Sequence, residues 1–383
     1  MLLRLSRHEA EVLSMYNRGA VADMIEASGG RVTDLGMRSN TQLGVLPRMV
    51  RHIRAGRYDV VHVHLYRACI YGRPAARLAG VPVVVTTEHS IGETHIERRR
   101  MSPGVRALYL ATDLFSDATI AVSEAVRDRL VRWGVPARKI ETIPNGLDFS
   151  RLSFDPAERA RVRRELAIGP DDYVVGVLGR LDPNKRFDLV ISSLAPLLGP
   201  GRRLLVVGDG TERVRLDALA RGLGPDDRVV FAGERHDVPA VLAAMDLFIG
   251  SSAQETFGLN VLEALASGMP ALFTTCPALD GIDTGGRARP VAGEAEAIRA
   301  EVAREMSVGR RPRVPVATIE EQYGIAGVAG RVDGLYERLA VRGRAGREPV
   351  WAQPRAVVAE PFPDAAVQGP FSRPWPPPSA GKT

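Results

Sequence analysis

Short runs of β-branched residues alternate with helical stretches along most of the chain, in the order expected for parallel strand–helix–strand units. In the first half the predicted strands are EVLSMY, RVTDLG, DVVHVHL, PVVVTTEH and ATIAVS, with ETIPNG closing the domain. In the second half they are YVVGVLG, RLLVVGDG, RVVFAGE, LFIGSS and PALFTT. The pattern therefore predicts an α/β protein with two doubly wound sheets.

Composition and apolar spacing divide the chain into five segments. Residues 1–150 hold the first series, residues 151–169 form an arginine-rich connector that carries one helix, and residues 170–312 hold the second series. Residues 313–342 are predicted to contain a closing amphipathic helix, whereas the proline-rich residues 343–383 are expected to be disordered. Ligands of open parallel sheets bind beyond the carboxyl ends of the strands, so we expect the active site in a cleft between the two domains.

Composition excludes several classes of protein. Hydrophobic residues make up 45% of the chain, and no apolar run approaches the roughly 20 residues that a membrane span requires. Charged residues interrupt the N-terminal stretch, which argues against a secretory signal and favours a cytoplasmic protein. The net charge of +6 is scattered, which argues against nucleic acid and leaves an anionic ligand or peripheral membrane contact. The two cysteines, Cys69 and Cys276, are expected in the core.

Two cations follow the first strand of the second series, in VVGVLGRLDPNKRFDLVISSL. The strand ends at Gly179, and Arg180 and Lys185 lie in the short loop before the next helix. Both side chains can point into one site, where the arginine fork and the point charge of lysine would stabilise a leaving diphosphate. Two solvated cations beside a turn are the alternative explanation for these residues alone.

Two glutamates flank a glycine turn further along, in LFIGSSAQETFGLNVLEALASGMP. Glu255 precedes a helix and Glu263 lies about one turn inside it, so both can face the same ligand. The backbone N–H groups of Gly258, Leu259 and Asn260 are unpaired donors that favour a pyrophosphate at the helix N-terminus. Carboxylates accept hydrogen bonds from sugar and ribose hydroxyls, so the combination indicates a sugar nucleotide. A capping glutamate with a surface glutamate is the alternative.

In the first half, polar residues follow three strands on the side where the cleft is expected. Glu88 and His89 come directly after the strand PVVVTT. Ser123 and Asn145 lie in the turns of ATIAVSE and IPNG. We therefore predict that these side chains face the cleft.

Two patterns bear on metal binding. His62 and His64 alternate along DVVHVHL and so share one face, where they are expected to line the strand end. A metal site there is the alternative, but no third ligand follows at a suitable spacing. The chain also contains no Asp-x-Asp sequence to hold a metal on a diphosphate. We predict metal-independent stabilisation of the leaving group by Arg180, Lys185 and the helix N-terminus.

These motifs resemble the retaining glycosyltransferases of family 4, whose two glutamates have the same separation as Glu255 and Glu263. The resemblance extends from about Arg57 to Leu339 and includes GRLDPNKRFDLVI, LLVVGDG, VVFAGERHDV, AMDLFIGSS and IPNGLD. It implies two facing Rossmann-like domains, the GT-B architecture. It also implies transfer of a hexose-type sugar from a nucleotide diphosphate sugar to a hydroxyl acceptor, with retention and without a cofactor. Candidate acceptors are a lipid-linked sugar, a polysaccharide and a small natural product.

The resemblance implies roles for individual residues. Arg180 and Lys185 would bind the donor diphosphate, Glu255 the hydroxyls of the transferred sugar, and Glu263 the ribose. His89 would meet the donor sugar or help to orient the acceptor. Further donor contacts are implied for the backbone of Gly258 to Asn260, and positions near the nucleotide for Gly208, Asp209, Gly210 and Gly233 to Arg235.

The sequence departs from the family pattern in two places. Family members open with a strand, a Gly-Gly loop and a long helix, whereas this chain opens with what resembles the end of that helix. We therefore expect that roughly one strand–helix unit is missing. Its Gly29-Gly30 pair lies between a helix and a strand, in the reverse order. After ALASGMPALFTT the chain continues with CPALDGIDTGG instead of a Gly-Gly turn, so donor or acceptor preference is expected to differ.

Other functions fit the same two-domain plan. A nucleotide-sugar epimerase would bind the same donor and need no acceptor. A phosphorylase would need a pyridoxal cofactor on a lysine, for which we find no convincing site. A non-catalytic nucleotide-sugar-binding or scaffold protein would bind the donor without turnover.

Overall fold

The two predicted series of strands form separate parallel sheets in a computed structural model of the chain, which describes residues 5–16, 19–39, 42–93, 95–96, 99–224 and 228–344. Both sheets lie within one compact unit that extends to Gly343. Beyond residue 344, the proline-rich segment that we expect to be disordered lies outside the described residues. No described helix combines the length and apolar composition needed to cross a membrane.

The first half alternates strands and helices, as its sequence pattern predicts. Its strands are β1 (Glu11–Ser14), β2 (Arg31–Asp34), β3 (Val60–His64), β4 (Val83–Glu88), β5 (His95–Ile96), β6 (Arg99–Arg100), β7 (Ala118–Ala121) and β8 (Ile140–Thr142). Its helices are α1 (Gly19–Ala27), α2 (Val45–Gly56), α3 (Leu65–Ala79), α4 (Pro103–Asp113) and α5 (Glu124–Trp133). The pair β5 and β6 was not predicted, because strands of two residues leave no periodic signal.

The strands of the first half do not form the single sheet that we predicted. β3, β4, β7 and β8 lie side by side in that order, whereas β1 and β2 form a separate parallel ladder. Side chains connect this ladder to the segment before β3, because the Glu11 carboxylate contacts both His52 and the Tyr58 hydroxyl. Polar side-chain contacts thus attach β1 at a point where we expected backbone pairing.

The second half begins with the connector and continues with the larger sheet. Its strands are β9 (Tyr173–Leu178), β10 (Arg202–Val207), β11 (Val229–Gly233), β12 (Leu247–Gly250), β13 (Ala271–Phe273) and β14 (Ala288–Pro290). Its helices are α6 (Phe149–Leu152), α7 (Pro156–Glu165), α8 (Phe187–Leu194), α9 (Arg213–Gly222), α10 (Val238–Ala244), α11 (Leu259–Ala266) and α12 (Ala295–Val308). The connector thus carries two helices, of which one, α6, has only four residues.

The six strands of the second sheet are all parallel, in the order β11-β10-β9-β12-β13-β14. The chain starts at the central strand β9, moves outwards to β11, and returns across β9 to β12. This reversal creates a switch point between neighbouring strands whose helices lie on opposite faces, which is where open sheets bind ligands. The buried runs of β9, β10 and β12 explain why their sequences are nearly continuously apolar.

The closing segment consists of two helices, α13 (Ala317–Tyr323) and α14 (Ile325–Arg344), instead of the single helix that we predicted. They meet at Gly324, where Leu147 bonds to the flanking backbone on both sides, through the Tyr323 carbonyl and the Ile325 N–H. Apolar residues of α14 then pack against the four-stranded sheet of the first half. The end of the described chain therefore returns from the second sheet to the first.

Candidate active site

A cavity of about 770 Å³ opens at the carboxyl ends of β9, β10 and β11. It adjoins the switch point of the second sheet, the position at which ligands of open parallel sheets bind. Most of the residues around it belong to the motifs that predicted the donor site. Its lining consists of Leu178, Gly179, Arg180, Val207, Gly208, Asp209, Gly210, Thr211, Glu234, Arg235 and Val238.

Two of the glycines are required by packing between neighbouring loops. A Cβ atom on Gly208 would lie 2.0 Å from the carbonyl oxygen of Gly179, and one on Gly210 would lie 2.3 Å from that of Leu181. Backbone hydrogen bonds connect the same loops, from Gly179 N to the Val207 carbonyl at 3.0 Å. The glycines therefore bring the ends of β9 and β10 together into one wall of the cavity.

This packing predicts a large loss of stability for Gly208→Ala. The added methyl group would clash with backbone, and Gly208 has a φ of +130°, so we expect the free energy of unfolding to fall by about 2 kcal/mol or more. Gly199→Ala is the control, because its Cβ would meet no atom within 4 Å. Urea titration of both variants measures the difference, and equal midpoints would show that the loops can separate freely.

Lys185 and Glu255 form an ion pair beside this wall, with 2.6 Å between Lys185 Nζ and Glu255 Oε1. The two side chains are 18% and 15% exposed, so both charges are largely screened from water. Lys185 ends a short 3-10 turn that is capped by Asp182, and its Cε passes 3.4 Å from the place of a Cβ on Gly179. The lysine side chain thus runs along the end of β9 to the glutamate, and the φ of +150° at Gly179 favours glycine at this turn.

Arg180 occupies a different part of the site. Its side chain lines the cavity, is 56% exposed, and forms an ion pair with Asp182 at 2.7 Å. Lys185, in contrast, is directed towards Glu255. The two cations therefore flank the end of β9 and do not contact a common protein group.

The helix α11 begins next to the same strand. Gly258 precedes its first turn with a φ of +98°, and a Cβ there would lie 2.4 Å from the sulfur of the buried Cys276. The Asn260 side chain donates a hydrogen bond of 3.0 Å to the carbonyl of Leu178, which lines the cavity. The helix N-terminus, with Leu259 in its first position, is thereby fixed against the end of β9. Intrahelical hydrogen bonding begins at Val261 N, which donates to the Gly258 carbonyl at 3.1 Å, so the preceding N–H groups lie ahead of the helical ladder.

Glu263 lies one turn inside α11 and is only partly exposed. Burial raises the pKa of its carboxyl group from 4.5 to about 7. No hydrogen bond or ion pair reaches this carboxylate from the described part of the chain. Among the described residues, Glu263 is therefore a carboxylate without hydrogen-bond donors, which hydroxyl groups of a ligand could supply.

Arg235 lines the cavity, but its guanidinium group is already paired. It forms ion pairs with Asp237 at 2.7 Å and with Glu165. These hydrogen bonds raise the pKa of Arg235 above its usual value. In this arrangement its charge is neutralised by two carboxylates of the protein, and its position near the nucleotide stays a prediction.

In the first half, three histidines lie together at the carboxyl ends of β3 and β4. His64 Nδ1 and His89 Nε2 are 3.1 Å apart, and His89 also bonds to the side chain of Asn145. His62 stacks on His64 and contacts Thr87. Burial lowers the pKa of all three rings, which favours their neutral form. The predicted shared face of His62 and His64 is confirmed, and His89 and Asn145 are neighbours.

The other two predicted residues of the first half have different environments. Glu88 is fully buried, and its carboxylate accepts a hydrogen bond from Ser90 N at 3.0 Å, so it does not face the cleft as we expected. β4 is buried along its whole length, so a side chain on either face of this strand lies inside the protein. Ser123 caps α5 and donates a hydrogen bond of 2.6 Å to the carbonyl of Thr256, in the second half.

Metal ligands are not clustered in the described part of the chain. No group of three or more histidine, cysteine, aspartate or glutamate side chains there has a geometry that could hold a metal ion. Both cysteines are buried, as predicted for core residues, and they do not form a disulfide bond.

Two residues that organise the site were not predicted from the sequence, Asn184 and Arg129. Asn184 bonds through its side chain to both backbone groups of Gln254, next to Glu255. Arg129 donates a hydrogen bond to the carbonyl of Glu255 from the first half of the chain. Such contacts to backbone leave no pairwise signal in the sequence, although Asn184 lies within the loop already selected for its cations.

Family models match both halves of the chain. The model described as Glycosyltransferase Family 4 matches residues 3–151, and the model described as Glycosyl transferases group 1 matches residues 158–282. The gap between the two matches, residues 152–157, falls in the connector and reaches the start of α7. Together they account for most of the chain.

Two curated relatives illustrate the similarity. The chain is 28% identical over 334 residues to a 2-deoxystreptamine glucosyltransferase of Streptomyces kanamyceticus, covering 81% of this chain and 85% of that protein. It is 33% identical over 236 residues to a GDP-mannose-dependent alpha-mannosyltransferase of Mycobacterium tuberculosis. The second match covers 59% of this chain and 57% of that protein, so the chain spans little more than half of that relative's length.

A solved structure has the same fold. HepE of Anabaena, in complex with UDP and glucose, superimposes with a TM-score of 0.76 at 22% identity. The match covers 88% of this chain and 94% of that chain. The two-sheet arrangement is therefore that of the GT-B glycosyltransferases, as the sequence predicted.

Proposed function

Because this chain belongs to glycosyltransferase family 4, we propose that it transfers a hexose-type sugar to a hydroxyl acceptor with retention of configuration and without a metal ion. It is a glycosyltransferase of the GT-B superfamily that uses nucleotide sugars. The observation that carries the finer proposal is the Lys185–Glu255 ion pair beside the glycine-walled cavity. A cation and a carboxylate in contact match the two parts of such a donor, its phosphates and its sugar hydroxyls.

In the proposed complex the diphosphate lies at the N-terminus of α11. The first N–H groups of this helix, at Gly258, Leu259 and Asn260, point towards it with the positive end of the helix dipole. Lys185 and Arg180 approach from the end of β9 and neutralise the charge that develops on the leaving diphosphate. Fixed cations and N–H donors can stabilise this charge without a metal ion.

The carboxylates hold the two sugar rings of the donor. Glu255 accepts hydrogen bonds from the transferred sugar, and its pairing with Lys185 places that sugar next to the diphosphate. Glu263 lies about one helical turn after the start of α11 and accepts hydrogen bonds from the ribose. The glycines at the ends of β9 and β10 let the neighbouring loops pack closely into the wall against which the nucleotide lies.

The first half supplies the acceptor side of the proposed reaction. His89, held by His64 and Asn145, is a neutral hydrogen-bonding group that can meet the transferred sugar or the incoming hydroxyl. The acceptor belongs to a class with hydroxyl groups, such as an aminocyclitol or a lipid-linked sugar. The names of two relatives support this range, a 2-deoxystreptamine glucosyltransferase and an Escherichia coli galactosyltransferase named for a diphosphoundecaprenol acceptor.

Nucleotide release with and without an acceptor tests the proposal. We expect the protein to release nucleotide from UDP-glucose or GDP-mannose faster when 2-deoxystreptamine or a lipid-linked sugar is added. Addition of EDTA should leave this rate unchanged. The product's anomeric configuration, measured by NMR, should equal that of the donor. Conversion of the donor to an epimer without nucleotide release would identify an epimerase, and donor binding without turnover a non-catalytic protein. Loss of activity in EDTA would contradict metal independence.

A further inference from the structure

The loop that carries Glu255, residues 251–258, is held by hydrogen bonds from the first half of the chain. Ser123 Oγ donates to the Thr256 carbonyl at 2.6 Å, and Arg129 Nη1 donates to the Glu255 carbonyl at 3.3 Å. The side-chain oxygen of Gln254 accepts a third hydrogen bond of 3.3 Å from Glu93 N. Three consecutive residues of this Glu255 loop are therefore fixed from across the cleft.

Arg129 is the centre of these contacts. Its side chain is only 12% exposed, and the nitrogen that reaches Glu255 also donates to the Ile91 carbonyl at 3.1 Å. Its Nε pairs with the Glu93 carboxylate at 2.9 Å. A planar guanidinium with all these partners has little freedom to move, so it fixes the loop after β4 and the Glu255 loop relative to each other.

Glu255 is thus held at both ends, and each half of the chain supplies one support. Its carboxylate pairs with Lys185 of the second half, and its backbone carbonyl is bound by Arg129 of the first half. Asn184 fixes the neighbouring Gln254 backbone from the second half. The place of the Glu255 carboxylate is therefore set jointly by the two domains.

We propose that Ser123 and Arg129 are positioning residues, which hold the Glu255 backbone so that its carboxylate meets the transferred sugar only when both halves are together. This inference rests on the proposed function for the role of Glu255. Ser123, which the sequence assigned to substrate binding, then acts through the protein backbone instead of through the substrate.

The test uses the reactivity of Lys185, because that requires no turnover. The chain has three lysines, Lys139, Lys185 and Lys382, and Lys139 forms a comparable ion pair at 19% exposure. Brief acylation of the full-length protein with acetic anhydride, read by peptide mass spectrometry, gives the ratio of Lys185 to Lys139 modification. If Arg129 and Ser123 hold Glu255 in place, Arg129→Gln and Ser123→Ala will loosen the Lys185 pair and raise this ratio several-fold.

Arg127→Gln is the matched control, since Arg127 lies on the same helix and forms an exposed ion pair with Glu124. It should leave the ratio unchanged. An unchanged ratio in both Arg129→Gln and Ser123→Ala would overturn the proposal, whatever the activity of the protein.

Kinetics provide the second measurement. With UDP-glucose or GDP-mannose, kcat of Arg129→Gln should fall by about 10- to 100-fold, because a small displacement of a reacting group is enough. Binding of UDP and GDP, measured by calorimetry, should keep its affinity and stoichiometry, which general misfolding would not allow. A wild-type kcat in Arg129→Gln would overturn the proposed positioning role of Arg129. If the wild-type protein binds both nucleotides but never turns over a donor, the proposed function fails, and the acylation ratio still decides the role of Arg129.

Discussion

Lys185→Met is expected to lower the rate of sugar transfer by roughly 10²–10³-fold while the protein stays folded. Methionine keeps most of the aliphatic stem that passes Gly179 and removes only the charge. In the proposed reaction this charge stabilises the leaving diphosphate, and without it Glu255 also loses its partner at 2.6 Å. Steady-state rates with UDP-glucose and GDP-mannose measure the effect, and circular dichroism verifies the fold.

Lys139→Met is a closely matched control. Lys139 is 19% exposed, against 18% for Lys185, and pairs with Asp113 at 3.1 Å in the first half. Lys139→Met leaves Asp113 with a second cation, since Arg73 Nη2 lies 3.6 Å from its carboxylate, whereas Lys185→Met removes the cation paired with Glu255. A smaller loss of stability is therefore expected for the control, and urea titration of both variants separates stability from turnover. Only Lys185→Met should lose turnover. Equal rates in the two variants would remove Lys185 from the reaction.

The alternation of apolar runs was sufficient to predict the strands that build the site. β9, β10 and β12 are buried on both faces, and each ends in a glycine or a polar loop that marks its carboxyl end. Because all strands of this sheet are parallel, those ends must meet at one edge. Arg180 and Gly208 could therefore be assigned to the same cavity before any contact was known.

The contacts between the selected residues could not be predicted. Lys185 and Glu255 are 70 positions apart, and nothing in either motif specifies that their side chains meet. Their pairing depends on how α8 and α11 pack on neighbouring strands. Glu88 shows the same limit, because a polar residue at a strand end can turn inwards or outwards with a shift of one position.

The hydrogen bonds across the cleft are even harder to predict from the sequence. Arg129 and Ser123 bind backbone carbonyl groups, which every residue possesses, so the identity of the partner residue carries no information. Arg235 lines the cavity after β11, but its ion pairs with Asp237 and Glu165 could not be predicted from its place in the sequence. In each case the sequence gives the chemical type of the side chain but does not specify the group that it contacts.

The second large effect concerns Glu263. We expect Glu263→Gln to make the protein more stable at pH 8, by roughly 1–3 kcal/mol, and at the same time to weaken donor binding by about 10-fold or more. The gain in stability arises because glutamine has the same shape and no charge to bury. The free energy of unfolding from urea titration, compared between wild type and variant, measures it.

The sign of the pH dependence follows from the raised pKa. Glu263 has a pKa of about 7 in the folded protein and an ordinary value of 4.5, so the folded state holds its proton more tightly. Folding is favoured most below pH 4.5, and this contribution is lost as the pH rises through 7. The stability difference between Glu263→Gln and wild type should therefore be small at pH 5 and grow towards pH 8. Glu320→Gln, at an exposed glutamate of α13, should show no such growth.

Donor binding should respond to the same titration in the opposite direction. Only the ionised Glu263 carboxylate accepts hydrogen bonds from two ribose hydroxyls, while the diphosphate of a sugar nucleotide keeps its charge over this range. Wild-type affinity for UDP-glucose or GDP-mannose should thus increase as the pH rises through about 7, and Glu263→Gln should show a weaker, flatter profile. The ionised Glu263 carboxylate lowers the stability of the folded protein above its pKa. Because donor binding requires that ionised form, the loss of stability has a functional reason. A variant that is less stable at pH 8, or that binds donor as tightly as wild type, would contradict this account.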